Sequence, residues 1–490
     1  MIDAAKLPVS WMHIVFDDAI DVVSDRGARI QQKYYLIDGI LPVVDQGEGL
    51  IGGYTNDLEA QVEASGPVIV FGDHTRRFKF VKFPFAVGAD GVKIFAPTDL
   101  WCPDFLYFQL CAIDLENRGY GRHYQHLRKE ILTLPPLPEQ TRIVAKLEEL
   151  LSDLDAGVAE LKAAQNKLKQ YRQSLLKAAV EGALTAEWRT QNTPLETSAQ
   201  LLARILVERR ARWQAKQLAK FNEQGKPPPK DWQKKYPEPM QLDITGLPKL
   251  PKGWVWASME QLTEFITSGS RGWADYYADA GATFIRSQNI NKDRLDLLDI
   301  AFVNPPTSSE GARTRVQRDD VLLTITGANV GKAARVETAI HEAYVSQHVA
   351  LIRMVESGLA DFLHLFLTAD AGGRGQLNKE AYGAGKPGLN LQQVATVSVP
   401  LAGALEIHAL MSAVTTQLAA VAEKQVAISF ALKQSTAQRQ NILRAAFAGQ
   451  LVPQDPKDEP ASVLLARIRA ERAAAAGVMT PRRRKPKEAA

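Results

Sequence analysis

The segment of this sequence that comes closest to a catalytic motif resembles the end of a phosphate-binding loop. Residues 326–333, TGANVGKA, place a lysine directly after a glycine, as in loops whose backbone amides cradle the phosphates of ATP. Thr326 stands where such a loop needs its first glycine, and Ala333 stands where a serine or threonine would hold magnesium. We therefore expect a turn here and no ATP site.

Two further patterns lack the partner residues that their chemistry requires. Residues 304–307 have the Asn-Pro-Pro used in methyl transfer to amino groups, but Thr307 replaces the aromatic ring that would stack on a flipped base. Asp104 lacks the acid-x-lysine partner of a metal-dependent nuclease, because residues 116–118 read Glu-Asn-Arg. Neither methyl transfer nor DNA cleavage is expected of this chain.

The eight histidines and two cysteines do not form a metal-binding pattern either. His123 and His126 lie three residues apart without an acidic or cysteine companion, and no His-Glu-x-x-His sequence occurs. Cys102 and Cys111 are too few for a disulfide framework or a four-cysteine zinc site. We expect no catalytic residues, no metal site and no cofactor bound by this chain.

The composition indicates a folded chain of several domains. Its 490 residues are 46% hydrophobic and 23% charged, and 59 basic against 55 acidic residues leave a formal charge of +4. No apolar run is long enough to cross a bilayer, and the first residues lack the basic and apolar regions of a secretion signal. We expect a cytoplasmic protein without a membrane contact, in which any affinity for nucleic acid depends on local clusters of charge.

An internal repeat organises the chain. Residues 175–184 (LLKAAVEGAL) return 267 positions later as 442–451 (ILRAAFAGQL), and 201–210 (LLARILVERR) return as 464–473 (LLARIRAERA). The order predicts two pseudo-symmetric halves, each made of a variable segment followed by a long helix. Fainter matches join 7–11 to 250–254 and 104–110 to 361–367.

A seven-residue apolar spacing predicts that both repeated segments are coiled-coil helices. Prolines at 135, 136 and 138 mark the start of the first helix, and Gly449 with Pro453 ends the second. Their matched length and register favour antiparallel pairing as a rigid spacer with faces that can bind other subunits; separate packing of each helix on its own domain is the alternative. The seam residues are Leu147, Leu154, Leu161, Leu168 and Leu175 in the first helix and Val414, Val421, Ile428 and Ile442 in the second.

The remaining segments form two heads, a linker and a tail. Both heads alternate short apolar runs with turn residues, which predicts α/β structure with strands that include 68–71, 92–95, 321–326 and 348–353. The linker has ten basic and three acidic residues between 204 and 235, interleaved with aromatic residues, and could follow a phosphate backbone, bind a protein or form a solvated helix face. The expected boundaries are 1–137 for the first head, 138–189 for the first long helix, 190–253 for a basic linker with a short helix at 196–219, 254–400 for the second head, 401–452 for the second long helix and 453–490 for a C-terminal helix with a basic tail.

The duplicated plan and the sequence LPPLPEQ (134–140) at the start of the first long helix resemble the specificity subunits of Type I restriction–modification enzymes. The resemblance covers nearly the whole chain and is most specific at this junction, at the repeated helix ends and at the two LLARI segments. The second junction, 399–407, lacks the Pro-Glu-Gln of the first. The resemblance implies an α+β fold, in which two pseudo-symmetric α/β target recognition domains are separated by two long antiparallel coiled-coil helices.

The same resemblance implies a function without catalysis. Such a subunit binds a bipartite site in double-stranded DNA and directs adenine-N6 methylation, and restriction, by its partner subunits. The implied partners are two modification subunits, which use S-adenosylmethionine, and, where one is present, a restriction subunit, which uses ATP and magnesium. The rival interpretation is a coiled-coil scaffold whose two heads bind proteins rather than DNA.

Base reading would fall to basic and amide side chains on loops of the heads, since these groups match base edges in the major groove. For each candidate, an ordinary solvated loop residue is the alternative. The candidate DNA-binding residues are Arg76, Arg77, Lys79, Arg122, His123, Tyr124 and Gln125 in the first head, and Arg286, Gln288, Asn289, Asn329, Lys332, Lys386 and Asn390 in the second.

Overall fold

A computed structural model of this protein describes residues 7–88, 91–117, 119, 121–269, 272–305, 309–381 and 387–478. The chain divides into two compact units, one of Met1–Ala163 with Ile428–Ala490 and one of Ala164–Ala427. Each unit therefore combines one head with the first part of one long helix and the last part of the other.

The first head contains two four-stranded sheets and a separate strand pair. Its strands are β1 (Met12–Val15), β2 (Ile20–Val23), β3 (Arg29–Ile30), β4 (Leu41–Val44), β5 (Gly53–Thr55), β6 (Val68–Gly72), β7 (Phe78–Val81), β8 (Ala86–Gly88), β9 (Val92–Pro97) and β10 (Ile131–Leu134), and its helices are α1 (Phe16–Ala19), α2 (Pro103–Ala112) and α3 (Tyr124–Leu127). One sheet has the antiparallel order β2-β9-β6-β7, and the other has the order β3-β8-β4-β5, in which β4 and β8 are parallel. Strand β1 pairs with β10, which joins the two ends of the head.

Three helices follow this head and lead to the second: α4 (Leu137–Val180), α5 (Ala186–Gln191) and α6 (Ser198–Glu223). Pro138 lies in the first turn of α4, where a missing amide hydrogen costs no helical hydrogen bond. Helix α6 begins with a capping box, in which the Thr197 side chain accepts from the Gln200 amide and the Gln200 side chain accepts from the Thr197 amide.

The second head repeats the antiparallel sheet of the first and part of its second sheet. Its strands are β11 (Val255–Ser258), β12 (Thr263–Ser268), β13 (Tyr277–Ala278), β14 (Ala282–Ile285), β15 (Ile290–Asn291), β16 (Arg294–Leu295), β17 (Ala301–Val303), β18 (Val321–Thr324), β19 (Ala333–Arg335), β20 (Ala343–Val345), β21 (Val349–Met354) and β22 (Ser398–Leu401), and its helices are α7 (Met259–Leu262), α8 (Ser309–Thr314), α9 (Ala360–Thr368), α10 (Gly373–Glu380) and α11 (Leu391–Ala395). The order β12-β21-β18-β19 corresponds to β2-β9-β6-β7, and the parallel pair β14–β20 corresponds to β4–β8. Strands β11 and β22 pair as β1 and β10 do. The predicted strands are confirmed, and the matched segments 104–110 and 361–367 lie in α2 and α9.

The core of each unit joins the head to the long helices. In the first unit, Phe105 of α2 packs edge-on against Phe447, and buried Ile143 and Leu147 of α4 belong to the same cluster. In the second unit, buried Leu176 and Leu410 pack into the core that holds the second head together. Burial of such side chains is the main source of stability, at about 25 cal/mol per Å² of apolar surface.

The chain ends in α12 (Ala404–Phe447) and α13 (Ala461–Val478), of which α12 runs antiparallel to α4. Within the first unit, Arg439 forms an ion pair with Asp155, and within the second unit the Tyr171 hydroxyl donates to Gln417 Oε1 at 3.0 Å. These contacts confirm the antiparallel pair and the predicted fold class. Of the predicted seam residues, Leu147, Leu175, Val414 and Val421 are buried, whereas Leu154, Leu161, Leu168, Ile428 and Ile442 are half-buried.

By length and composition alone, α12 is the one helix among the described ranges that could cross a membrane. Core helices of proteins outside membranes pass the same test, so the finding is weak. The apolar stripe of α12 holds buried Leu410, Val414 and Val421, as expected of a helix that packs on protein.

Each long helix is followed closely by a glycine, and residues at the start of a head cover that glycine. Gly182 and Gly449 both have a φ of +72°, and the following residue donates to the carbonyl five positions back, as in a Schellman cap. A Cβ on Gly449 would lie 2.4 Å from Pro8, and one on Gly182 would lie 2.8 Å from Pro251. The faint sequence match between 7–11 and 250–254 therefore marks two equivalent contacts of head with helix end.

A buried glutamate at the start of each long helix completes the same contact. Glu139 accepts from Trp11 Nε1 at 2.9 Å and from Gln454 Nε2 at 2.6 Å, and burial raises the pKa of its carboxyl. At the repeated position, Glu406 accepts from Thr185 Oγ1 at 2.7 Å and from Arg189 Nε at 3.0 Å. We call these two clusters the helix joints.

The linker contains the predicted helix, which runs four residues beyond its expected end at 219, and the residues between this helix and β11 are irregular except for a 3-10 turn at Trp232–Lys235. Helix α6 continues to Glu223, because Trp213 and Phe221 on its last turns pack against Trp232, which returns along the helix. Its LLARI segment buries Leu201 and Ile205 in the core of the second unit. The repeated segment in α13 buries Leu464 and Ile468 in the core of the first unit.

Replacement of Gly449 by alanine should destabilise the protein by about 1 kcal/mol or more, because a Cβ is strained at positive φ and would overlap Pro8. The matched control is Gly157→Ala in the exposed middle of α4, where no atom lies within 4 Å of the added Cβ. That change should instead stabilise the helix, by up to about 1 kcal/mol. Thermal unfolding of the full chain followed by circular dichroism would compare them, and equal midpoints would contradict the role assigned to the joint.

Candidate nucleic-acid interface

In the first head, the predicted basic hairpin and the predicted loop before α3 lie side by side. The turn from β6 to β7 contains Asp73, whose side chain accepts from the Tyr124 amide at 2.7 Å and whose carbonyl accepts from the His123 amide at 3.1 Å. Arg76, at a φ of +58°, donates through Nη1 to the Leu115 carbonyl at 2.6 Å. The structure thus brings together residues that are about fifty positions apart in sequence.

Several of these candidates hold the loops in place and do not reach solvent. His123 is buried, and its Nδ1 lies 2.9 Å from the Asp73 carbonyl oxygen. Arg77, Arg122 and Gln125 are exposed. Arg122 and Gln125 therefore present their side chains to solvent, and Arg77 does so beside Glu48.

Lys79 is a buried anchor. Its side chain is 6% exposed, and Nζ lies 3.3 Å from Asp45 Oδ1, while Tyr35 donates to the other oxygen of Asp45 at 3.3 Å. Burial lowers the pKa of Lys79, and the Asp45 carboxylate opposes that shift. The pair attaches the β4–β5 loop, residues 45–52, to strand β7.

The β4–β5 loop lies against the same hairpin. A Cβ on Gly72 would lie 2.8 Å from Gln46 Cβ, and Glu48 forms an ion pair with Arg77 at 3.5 Å. The first head therefore gathers three loops at one edge: 45–52, 73–77 and the described residues of 113–123, which are 113–117, 119 and 121–123. We call them the edge loops of this head.

The second head gathers the equivalent loops, 286–300, 325–332 and the described part of 382–390. Asn329 donates through Nδ2 to the Ser287 carbonyl at 3.2 Å, which joins the first two loops. The Gly327 amide donates to the Pro387 carbonyl at 3.1 Å, which joins the second to the third. The first two of these loops follow β14 and β18, the counterparts of β4 and β6 in the first head.

Within the loop 286–300, three candidates converge on one acidic residue. Gln288 donates through Nε2 to Asp299 Oδ2 at 2.8 Å, and Arg286 lies 3.5 Å from Asp299 Oδ1. Asn289 is buried and donates to the carbonyls of Asp296 and Asp299 at 3.0 and 2.7 Å. Asn289 thus shapes the loop, whereas exposed Gln288 and half-buried Arg286 lie at its surface.

The remaining candidates of the second head have mixed positions. Lys332 donates to Asn329 Oδ1 at 2.8 Å, and both side chains are half-buried, so the loop 325–332 closes on itself as a turn. Asn390 caps α11 by accepting from the Gln393 amide at 2.8 Å. Lys386 lies outside the described residues.

One exposed amide was missed by sequence reasoning. Gln347 lies in the turn between β20 and β21, and the next residue accepts through its carbonyl from the Ile325 amide at 2.9 Å. This turn, residues 346–348, is a short connection between two strands, and no local signal in the sequence separates Gln347 from a sheet position. Among the described residues, no group of three or more His, Cys, Asp or Glu side chains is placed to hold a metal ion.

Comparisons with known proteins agree with this architecture, although no family model matches the sequence. The chain is 26% identical over 428 residues to the specificity subunit of the Type I restriction enzyme EcoBI of Escherichia coli, with 79% of each chain covered. It is 24% identical over 369 residues to the EcoKI specificity subunit of Escherichia coli strain K12, covering 72% of this chain and 66% of that one. A chain from a solved type I R-M system has the same fold, with a TM-score of 0.59 at 16% identity over 91% of this chain and 99% of that chain.

The anchoring and exposed candidates should separate in a stability measurement. Lys79→Ala should destabilise the protein by about 3 kcal/mol, because it leaves the Asp45 carboxylate largely buried without its cation. Arg77→Ala removes an exposed guanidinium from the same hairpin and should change the free energy of unfolding by less than about 0.5 kcal/mol. Urea unfolding followed by tryptophan fluorescence would test both, and a Lys79 variant as stable as the Arg77 variant would show that the pair is not an anchor.

Proposed function

Since this chain belongs to the family of Type I restriction–modification specificity subunits, we propose that it reads a bipartite site in double-stranded DNA, one half with each head. It is the non-catalytic subunit of its complex and directs adenine-N6 methylation, and restriction, by partner subunits. Beyond family membership, we propose the DNA target, its division into two half-sites, and the methylation and restriction by partner subunits.

The observation that carries the proposal is the equivalence of the two sets of edge loops. Both heads gather three loops around corresponding strands, yet the exposed candidates on these loops differ: Arg77 and Arg122 in the first head and Gln288 in the second. Arginine matches the N7 and O6 of guanine, and glutamine matches the N6 and N7 of adenine. A common scaffold with different base-matching groups is what two half-sites of unlike sequence require.

Buried polar groups support these loops as a reading surface. Asp73, Asn289 and the Lys79–Asp45 pair fix the loop backbones, so exposed side chains start from defined positions. Preorganisation of this kind lowers the entropy lost on binding. The edge loops are therefore better suited to sequence reading than freely moving loops would be.

The long helices serve as the spacer of the proposed complex and bind two modification subunits. Half-exposed seam residues such as Leu161 and Leu168 leave apolar surface beside the seam for a partner helix. S-adenosylmethionine belongs to the modification subunits, and ATP with magnesium belongs to a restriction subunit where one is present. The division at 137, 189, 253, 400 and 452 and the cytoplasmic location remain part of this proposal.

Exchange of residues 254–400 for the corresponding head of a relative with another target should change one half-site and leave the other unaltered. The reason is that each head has its own core and its own edge loops. Sequencing of N6-methyladenine in cells that express the chimera with its modification subunits would read both halves. A change in both halves contradicts the two-head model, and methylation without any sequence preference favours the rival protein scaffold.

Arg77→Ala should lower affinity for the target by about 1–3 kcal/mol and relax the preference at one base pair. Arg26→Ala is the matched control, because Arg26 is an exposed arginine of the same head that pairs with Glu63 away from the edge loops. Competition binding of the reconstituted methyltransferase with single-base variants of the target would measure both. Equal losses for the two variants would remove Arg77 from the reading surface.

A further inference from the structure

The structure separates the basic residues of the linker into two groups. From Arg204 to Lys235, the arginines and Lys216 on α6, together with Lys234 after it, have acidic or carbonyl partners. Arg212 binds Glu208 at 2.8 Å and Glu264 at 3.3 Å, and Lys216 also pairs with Glu264. The others in this group are Arg204 with Glu196 and Glu356, Arg209 with the Thr263 carbonyl, Arg210 with Glu238, and Lys234 with Asp231.

Four lysines of the same stretch have no acidic partner in the structure. They are Lys220, Lys226, Lys230 and Lys235, and all four are exposed. They follow the paired body of α6 and cluster around its end. The local excess of positive charge seen in the sequence therefore resides in these four side chains.

An aromatic cluster folds this part of the linker into a defined shape. Trp232 stacks on Trp213 with ring centroids 5.8 Å apart and meets Phe221 edge-on at 5.9 Å, while Tyr236 meets Trp213 edge-on at 5.5 Å. The Tyr236 hydroxyl is held by Arg209 Nη1 at 2.6 Å. Residues 226–235 are thereby folded back on the last two turns of α6, which brings the four lysines onto one short module. We call residues 213–236 the lysine module.

We propose that the lysine module binds the phosphate backbone of duplex DNA independently of sequence, as a second contact beyond the edge loops. The inference shares its partner with the proposed function, but it does not require that the heads read bases.

Charge and side-chain type favour DNA over a protein partner. Lysine is depleted in protein–protein interfaces, whereas unpaired ammonium groups bind phosphates and release condensed counterions. The aromatic rings of the module pack against one another and are buried or half-buried. They therefore do not form an exposed apolar patch of the kind that protein docking needs.

The repeat supplies an independent observation. The LLARI segment of α6 is followed by the lysine module, and the LLARI segment of α13 is followed in sequence by 481–487, PRRRKPK. The arginines of α13 itself are paired, as those of α6 are: Arg467 with Glu459, Arg469 with Asp18 and Arg472 with Asp21. In the sequence, both halves thus place a run of basic residues at or just after the end of the same helix. Residues 481–487 lie outside the described part of the chain, and the resemblance concerns the sequence alone.

The test uses the full chain with its modification subunits and a duplex of random sequence. The variant K220Q/K226Q/K230Q/K235Q should flatten the slope of log affinity against log salt by about 3–4, since each phosphate contact contributes about 0.9. The matched control K220R/K226R/K230R/K235R keeps the charges and should keep the slope. Circular dichroism checks that the module still folds, because none of the four side chains belongs to the aromatic cluster.

The outcomes are distinct. An unchanged slope overturns the proposal, and so does loss of a partner subunit from the complex with the slope intact, which would assign the module to protein binding. The ratio of affinities for methylation target and random duplex tests the proposed function separately. A ratio near one with a flattened slope would sink base reading and retain the lysine module.

Discussion

Contacts at the helix joints attach each head to the ends of the long helices. At each joint, a tryptophan and a proline from the start of a head cover a glycine that ends one long helix, and a buried glutamate begins the other long helix. In the first unit, Glu139 receives hydrogen bonds from both the head, through Trp11, and the segment after α12, through Gln454. Three parts of the chain that are far apart in sequence are fixed in one place, because a buried carboxylate must keep its donors.

The joints explain why the heads can differ in their loops without losing their fold. The antiparallel sheet and the β1–β10 or β11–β22 pair connect each head to the long helices, and their strands carry the buried apolar side chains. The edge loops contribute little to these cores. Substitution of an exposed residue on an edge loop should therefore change what the head binds. Substitution of a buried anchor, such as Lys79 in β7 or Asn289, should also change the stability of the head.

The distribution of charge has a similar logic. The net charge of +4 does not show that many arginines form ion pairs with acidic residues. Arg353, for example, forms an ion pair with buried Asp320 at 2.7 Å. Ion pairs between exposed side chains, such as Arg26 with Glu63, contribute little to stability, but they cancel the field that a long-range partner would feel. Unpaired cations then matter more than total charge, and the lysine module is where the linker keeps them.

The sequence by itself determined the duplication, both long helices and the strands at 68–71 and 349–353, because apolar spacing of seven or two residues is a local signal that burial then satisfies. It also placed most candidate residues on loops of the correct heads. It could not separate Lys79 from Arg77, or His123 from Arg122, since each pair consists of polar residues in the same short stretch. Only the tertiary structure decided these roles, because burial depends on Asp45 and Asp73, which reach the candidates from other parts of the chain. The same holds for the linker: Trp213 and Trp232 are nineteen residues apart, and their stacking, which no periodicity predicts, determines which charges remain free.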